Sequence, residues 1–428
     1  MPQLLRRTLR IATSIVLAAA PLVAAQGVRA LTDSLTDREF WDFFTNVSEA
    51  SGDFPSENFV SNEKTYQYVI PTLQRTLTPN GVYVGVGPEQ NFTYIANLEP
   101  SLAVIIDIRR QNAMLHLMYK ALFELSATRA EFVSRLFSRP MPLAVRAISA
   151  DSLFAEVGVA RANDSAFAAN WDAIVYRLTV TRRFAMSADD IASMRRVYAT
   201  FFEAGPDISY AYHLGQPPSP TAWLVSYAQI QTATNADSVT MSFLATDDRY
   251  RVVRSLELRN LIVPVVGDFG GPKAIRGVGE YLANRGAVVT AFYVSNVEQY
   301  LFTGMGAEQR FYRSVAALPL DSTSTFIRSL PSPGPAVNVQ GLPVIPPNTG
   351  ALRIVDSAGV RILSGTIDSA GRVTTWRVVT PAPPPRSNPG AFISGIAPIQ
   401  RTLDAFAANQ LRTYARVTAM TKTDGWKP

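Results

Sequence analysis

The chain has 428 residues, 47% of them hydrophobic, enough for one large or two ordinary globular domains with a sizeable core. Cysteine is absent, which excludes a disulfide framework, a thiolate nucleophile, an iron–sulfur cluster, a cysteine zinc site and a lipoprotein anchor. His116 and His213 are the only histidines, too few for a histidine-rich metal site. The formal charge of +6 owes half its value to Arg6, Arg7 and Arg10, and no dense Lys/Arg stripe follows them, so nucleic acid is not an expected partner.

At the amino terminus those three arginines precede an apolar stretch over residues 11–23, and Val23-Ala24-Ala25 places small residues before Gln26. This pattern predicts a signal peptide over residues 1–25 and an exported mature chain, periplasmic or secreted. The stretch is too short to span a bilayer comfortably, and no transmembrane helix is expected in the mature chain. Arg6-Arg7 followed by Leu9 is a loose twin-arginine pattern with poorly matching flanks, so the general secretory route is the expected one.

Residues 31–51 then read as a helix, with Asp33 or Thr36 as its cap and an aromatic stripe of Phe40, Trp41, Phe43 and Phe44 for packing. Residues 82–86 and 102–108 are near-continuous runs of β-formers, as parallel strands covered on both faces require. Between them Gly85-Val86-Gly87-Pro88-Glu89-Gln90 leads into one helix. Gly85 and Gly87 permit a tight turn and close approach of a ligand, and Pro88 suits a first helical position. Asp107, about twenty residues beyond the glycines, ends the second strand where a carboxylate accepts hydrogen bonds from ribose hydroxyls. Gln90 stands where a dinucleotide fingerprint has its third glycine, and Glu89 would repel a pyrophosphate at the helix start. The unit therefore favours a phosphate-free nucleoside bearing positive groups, such as S-adenosylmethionine; the plainer reading is a tight strand-to-helix turn.

The helix after Asp107 carries His116 among Met114, Leu115, Leu117 and Met118, a packing position. Residues 127–245 read as a helical insertion, with helices over 130–137, 187–202 and 223–233, broken by Pro140, Pro206 and the proline loop near Pro218. His213 sits beside Tyr210 and Tyr212 in that loop, and Trp223, Tyr227 and Gln229 are available to shape a pocket. A second strand-to-turn unit follows: a helix over 247–260, a strand over 261–266, then Gly267-Asp268-Phe269-Gly270-Gly271. Pro264 lies mid-strand and predicts a distorted or shortened strand away from an edge. A helix over 273–285, a strand over 287–294 and Ser295-Asn296 complete the unit. Ligands of open α/β sheets sit outside the carboxyl ends of the strands, so residues 85–90, 107–112, 268–270 and 293–296 are expected to line one crevice.

Ser61-Asn62-Glu63, Tyr66-Gln67, Ile70-Pro71 and the segments 83–92, 106–112, 260–272 and 292–300 together resemble an uncharacterised bacterial protein family over roughly residues 40–330. Its fold looks like a Rossmann-like, class I S-adenosylmethionine-dependent methyltransferase. The resemblance implies a cofactor-type crevice at Gly85, Gly87 and Asp107, closed over by Asn62, Glu63 and Tyr66 from the preceding helix. Glu89, Arg109, Asn112, Phe269 and Asn296 join them as binding candidates. Glu63 and Asp268 are the candidate bases for an oxygen or nitrogen acceptor. The loop has two glycines where ordinary methyltransferases have three, and a long insertion separates the second and third strands.

Residues 331–350, rich in Pro, Gly and Ser, predict an extended linker. Short β-forming runs over 352–355, 360–363 and 373–379 are separated by two copies of Asp-Ser-Ala-Gly, which predicts a three-stranded meander. Residues 395–420 have the spacing of an amphipathic terminal helix. The expected architecture is an α/β, Rossmann-like, methyltransferase-type sheet with a helical insertion and a small carboxyl-terminal β-meander plus helix. Two functions are open: a nucleoside-binding, methyltransferase-like protein, or a non-catalytic exported binding or structural protein on the same fold.

Overall fold

The computed structural model describes residues 31, 33–54, 56–142, 149–210, 225–331, 349–356, 359–367, 373–379 and 392–423. Residues 1–30, on which the signal-peptide expectation falls, His213, Trp223 and the proline-rich segments over 332–348 and 380–391 lie outside these residues. The described residues form nine strands: β1 (Val82–Gly85), β2 (Leu102–Asp107), β3 (Ile262–Val266), β4 (Val289–Ser295), β5 (Leu320–Pro331), β6 (Thr349–Asp356), β7 (Gly359–Ile367), β8 (Val373–Val379) and β9 (Phe392–Pro398). Six of them form one mixed sheet in the order β3-β2-β1-β4-β5-β9, and β6, β7 and β8 form the antiparallel meander expected from the repeated turn sequence. The protein is an α/β protein.

Within the large sheet β3, β2, β1, β4 and β5 run parallel, and β9 alone is antiparallel. Strands β1, β2 and β3 are buried at every position, which is why they read as unbroken apolar runs rather than alternating ones. The chain winds outward from β1 to β3 on one side and from β4 to β5 on the other. The strand order therefore reverses between β1 and β4, where an open α/β sheet leaves a crevice.

Pro264 does not distort its strand. β3 keeps register with β2 from Ala103 opposite Ile262 to Asp107 opposite Val266, Pro264 included. Ala103 N–H bonds the Leu261 carbonyl and Gly267 N–H bonds the Asp107 carbonyl, so the odd-numbered residues of β3 face β2. Pro264 turns its missing donor to the free edge, where no ladder bond is lost. On that same edge Val266 N–H donates to Ser48 Oγ (3.0 Å), and the Val266 carbonyl accepts from Glu49 N–H (2.8 Å). The end of the first helix thus covers part of the edge.

That helix, Asp37–Val47, is capped by Thr36 in a reciprocal box with Glu39 and buries Phe40, Phe43 and Phe44. Ser187 and Asp190 cap Ala188–Ala204 in the same way. Between β2 and β3 the described residues form helices, among them Arg110–Leu125, Arg129–Phe137 and Asp247–Leu258, with only the isolated bridge of Ser209 and Ser226. These helices share an aromatic core in which Phe123, Phe132, Phe243 and Tyr250 meet at ring-centroid distances of 4.5–6.0 Å. Each fully buried ring of this kind is worth about 1.5–3 kcal/mol.

The carboxyl-terminal segment departs from the expected single helix. Residues 395–398 belong to β9, which pairs with β5 over seven positions from Thr325 opposite Pro398 to Pro331 opposite Phe392. Two short helices follow, Ile399–Ala407 and Tyr414–Ala419. The unpaired edge of β5 supplies the ladder that makes Phe392-Ile393-Ser394 a strand, and helical spacing in the sequence carries no signal of that edge. Beneath it Arg328 and Glu298, each 1% exposed, form a bidentate pair (Nε to Oε2 2.5 Å, Nη2 to Oε1 3.0 Å), and the Tyr312 hydroxyl donates to the same carboxylate at 2.6 Å.

Candidate functional site

A cleft opens at the carboxyl ends of β1, β2, β3 and β4, at the reversal of strand order. Of the twelve residues proposed from sequence, it gathers eight into its lining: Asn62, Glu63, Gly87, Asp107, Arg109, Asp268, Phe269 and Asn296. Tyr66, Gly85, Glu89 and Asn112 stand behind the wall, and each supports it differently.

Gly85 is glycine for packing. A Cβ there would lie 2.0 Å from Asn91 Oδ1. Asn91 is the clamp of the loop: its Nδ2 reaches the carbonyls of Val86 (2.9 Å), Gly87 (3.2 Å) and Pro88 (2.7 Å), and its Oδ1 accepts from the Tyr83 hydroxyl (2.8 Å). Gly87 is glycine for its backbone, with φ +80°, where a side chain would be strained. Its carbonyl also takes Asn112 Nδ2 (3.2 Å) and His116 Nε2 (2.9 Å). The loop is held by three side chains behind it.

His116 has the packing position expected of it, edge-on to Phe92, with this added bond to the loop. Because a carbonyl cannot donate, the hydrogen of the neutral ring sits on Nε2. Burial lowers its pKa to about 4, so the ring is neutral at ordinary pH. Glu89 is fully buried and accepts from Ser61 N–H at 3.2 Å; burial pushes its pKa up to about 8. It neither lines the cleft nor carries a charge near neutral pH, so it does not repel phosphate as the sequence suggested. Tyr66 also faces inward, toward Thr93 and the Ile230 carbonyl, each at 3.4 Å.

The electrostatics of the cleft rest instead on Asp107 and Arg109. Asp107 Oδ1 accepts from Arg109 N–H (2.9 Å) and Nε (3.0 Å), and Oδ2 accepts from Nη2 (2.9 Å). Arg109 Nη1 donates to the carbonyls of Ser56 and Glu57, which ties the segment before Asn58 across the cleft. Among the described residues Arg109 is the one cationic side chain in the lining, and its partner is already present. Of the roughly four lone-pair positions of the Asp107 carboxylate, three are taken and one remains.

On the opposite wall Glu63 is 3% exposed. Its Oε1 accepts from the Tyr293 hydroxyl (2.7 Å) and Ser295 Oγ (2.5 Å), and burial raises its pKa against the lowering effect of these hydroxyls. Gln90 Nε2 donates to the same Tyr293 oxygen at 2.6 Å. Ser295 holds φ +49°, a left-handed conformation that costs a non-glycine residue about 1–3 kcal/mol and is found where a side chain must be aimed. Asp268 Oδ1 caps its own turn by accepting from Gly270 N–H at 2.8 Å.

Phe54, Tyr210, Tyr300 and Phe392 give the cleft an aromatic border; Phe54 and Tyr300 meet edge to face at 5.3 Å, and the Arg109 guanidinium lies 5.7 Å from the Phe54 ring centre. Sequence reasoning placed Gln90 in the crevice but missed this border, together with Asn58 and Asn91 as the clamp. An asparagine in the first turn of a helix is a weak signal for such a clamp, since it favours local bonds to backbone over the helix interior. Nothing local points to Phe392, which arrives by way of β9.

Fold and site thus define an α/β protein with an aromatic-bordered cleft at the strand ends. Residues 58–341 match the family described as Domain of unknown function (DUF7790), and the chain belongs to that family. No curated protein matches the chain.

Proposed function

We propose that the cleft binds a phosphate-free nucleoside, S-adenosylmethionine or a derivative, on a Rossmann-like sheet of methyltransferase type, in an exported protein. The observation that carries this reading is the meeting of the Gly87 loop, the Asp107 carboxylate and an aromatic border at the reversal of strand order. The parallel order 3-2-1-4-5 is that of doubly wound nucleotide-binding sheets, and the free position on Asp107 suits a ribose hydroxyl. With Arg109 already engaged, no cation among the described lining residues is left for a phosphate. Aromatic rings at the border suit a flat base.

S-adenosylmethionine held there would supply a methyl group whose transfer breaks its carbon–sulfur bond and leaves a neutral thioether. For this chain the work is placement, which the clamped loop and the braced Asp107 provide. Of the two carboxyls proposed as bases, Asp268 is the more open to an acceptor that must lose a proton, because it is part-exposed whereas Glu63 is closed to solvent.

The test is calorimetric titration with S-adenosylmethionine and S-adenosylhomocysteine of the wild type and of Asp107→Asn, which keeps an acceptor for Arg109. Saturable binding, weakened about tenfold in the variant, supports the reading. A folded protein that binds neither compound retires it. The second reading, a binding protein without turnover, is favoured by how many polar groups of the cleft already serve one another, and binding with no S-adenosylhomocysteine formed over a panel of acceptors would select it.

A further inference from the structure

Three polar atoms in the wall of this cleft are buried and have no hydrogen-bond partner among the described residues: Glu63 Oε2, Gln90 Oε1 and Asn58 Oδ1. Two belong to side chains tied to one hydroxyl, since Gln90 Nε2 donates to Tyr293 Oη and Tyr293 Oη donates to Glu63 Oε1. That chain of donors fixes the Gln90 amide with its oxygen free. An amide oxygen can only accept, so an arriving group must donate to it. A buried acceptor left unmatched destabilises the fold, and a ligand donor would recover that loss on binding.

Resting on the small-molecule reading above, we propose that Glu63 and Gln90 form the subsite for a primary ammonium group of the ligand. An ammonium carries three donors and a charge, and the carboxylates lining this cleft outnumber its cations. A hydroxyl would bring one donor and no charge, and would leave Glu63 protonated. Asn58, in a left-handed conformation at φ +47°, offers a third acceptor in the same lining.

The groups that face Glu63 make the assignment readable as a proton count. Tyr293 and Ser295 approach from β4, Tyr83 from β1, Tyr94 from the helix Gln90–Leu98, Glu89 from the turn before it, Tyr414 from the terminal helix and Ser329 from β5. None is a cation, so among the described residues only the hydroxyls of Ser295, Tyr293 and Ser329 oppose the burial that raises the Glu63 pKa. An ammonium against Oε2 would lower it, and binding would release a proton wherever the free protein still holds Glu63 protonated, below its raised pKa.

The experiment is calorimetry in buffers of different ionisation enthalpy, on the mature chain, with S-adenosylhomocysteine, with methylthioadenosine, which lacks the amino-acid moiety, and with putrescine, which lacks the nucleoside. The expected result is proton release with S-adenosylhomocysteine but not with methylthioadenosine. The isosteric Glu63→Gln variant should abolish that release and weaken S-adenosylhomocysteine about tenfold or more, while methylthioadenosine binding is unchanged. Equal binding of both nucleosides without proton release overturns the ammonium subsite and leaves the nucleoside reading standing. Putrescine binding with proton release, lost in Glu63→Gln, and no nucleoside binding does the reverse. Failure of all three compounds on folded protein overturns both.

Discussion

Arg109 folds back onto Asp107, two residues earlier in the chain, with its Nε and Nη2 on the two carboxylate oxygens at 3.0 and 2.9 Å and its own backbone N–H on Oδ1 at 2.9 Å. Both side chains are less than a tenth exposed. Asp107→Ala therefore strands a buried guanidinium and is expected to cost about 3–5 kcal/mol of stability, far more than Asp107→Asn, which keeps one acceptor oxygen. The double variant Asp107→Ala with Arg109→Ala should cost less than the sum of the two single variants. Urea denaturation measures all four proteins; equal losses for Asp107→Ala and Asp107→Asn would show that the pair is not the brace described.

The two loop glycines should respond differently to alanine. Gly87→Ala meets only Gln90 Nε2, at 3.8 Å, and should cost about 1–2 kcal/mol for its positive φ alone. Gly85→Ala collides with Asn91 Oδ1 and dislodges the clamp on three carbonyls, so about 3 kcal/mol or more is expected. Removing the clamp first, with Asn91→Ala, should shrink the Gly85→Ala cost; an undiminished cost in thermal denaturation would place the conflict elsewhere.

Stability should fall as pH rises from about 6.5 to 8. In the unfolded chain Glu89 and Glu257 ionise near 4.5, but burial holds each to about 8 in the fold, so across that window the native state binds more protons. His116 works in the opposite direction and lower down: its fold pKa of about 4 against 6.5 removes stability as pH drops from 6.5 toward 4. Between 6.5 and 8 only the carboxyls act. Glu89→Gln, which keeps an acceptor for Ser61 N–H, should flatten the decline by about 1 kcal/mol per pH unit. Denaturation curves at the two pH values give the slope, and an unaltered slope in the variant would remove Glu89 from the account.

Arg328→Met should be among the most destabilising single changes outside the cleft. It leaves the Glu298 carboxylate buried without its cation, at a cost of about 3–5 kcal/mol. Adding Glu298→Gln, which still accepts from Tyr312, should restore most of the loss in the same denaturation assay. A double variant no better than Arg328→Met would mean that packing around Arg328, rather than the stranded charge, sets the cost.

Much of the frame was legible because it is encoded locally. Apolar runs with no alternation marked β1 to β3, Thr36 was one of two candidate caps for the first helix, and the repeated Asp-Ser-Ala-Gly marked the meander. Eight of the proposed site residues meet because strand ends of a parallel sheet share one side. The illegible part is non-local. Whether Pro264 breaks a ladder depends on which neighbour β3 lacks, and residues 392–398 form a strand only because β5 has an edge to offer.

By itself the sequence determined β1 to β4, the meander, the glycine turn and the acid at the end of β2, since side-chain pattern and backbone permissiveness act over a few residues. Only the tertiary structure decided which way those side chains face. Glu89 and Tyr66 turn inward, Arg109 occupies most of Asp107, and Gln90 and Glu63, 27 positions apart in the chain, meet on the hydroxyl of Tyr293, more than 200 positions further on. Burial then sets their charge, because the desolvation that raises Glu63 and Glu89 is a property of everything packed around them and of no stretch of chain.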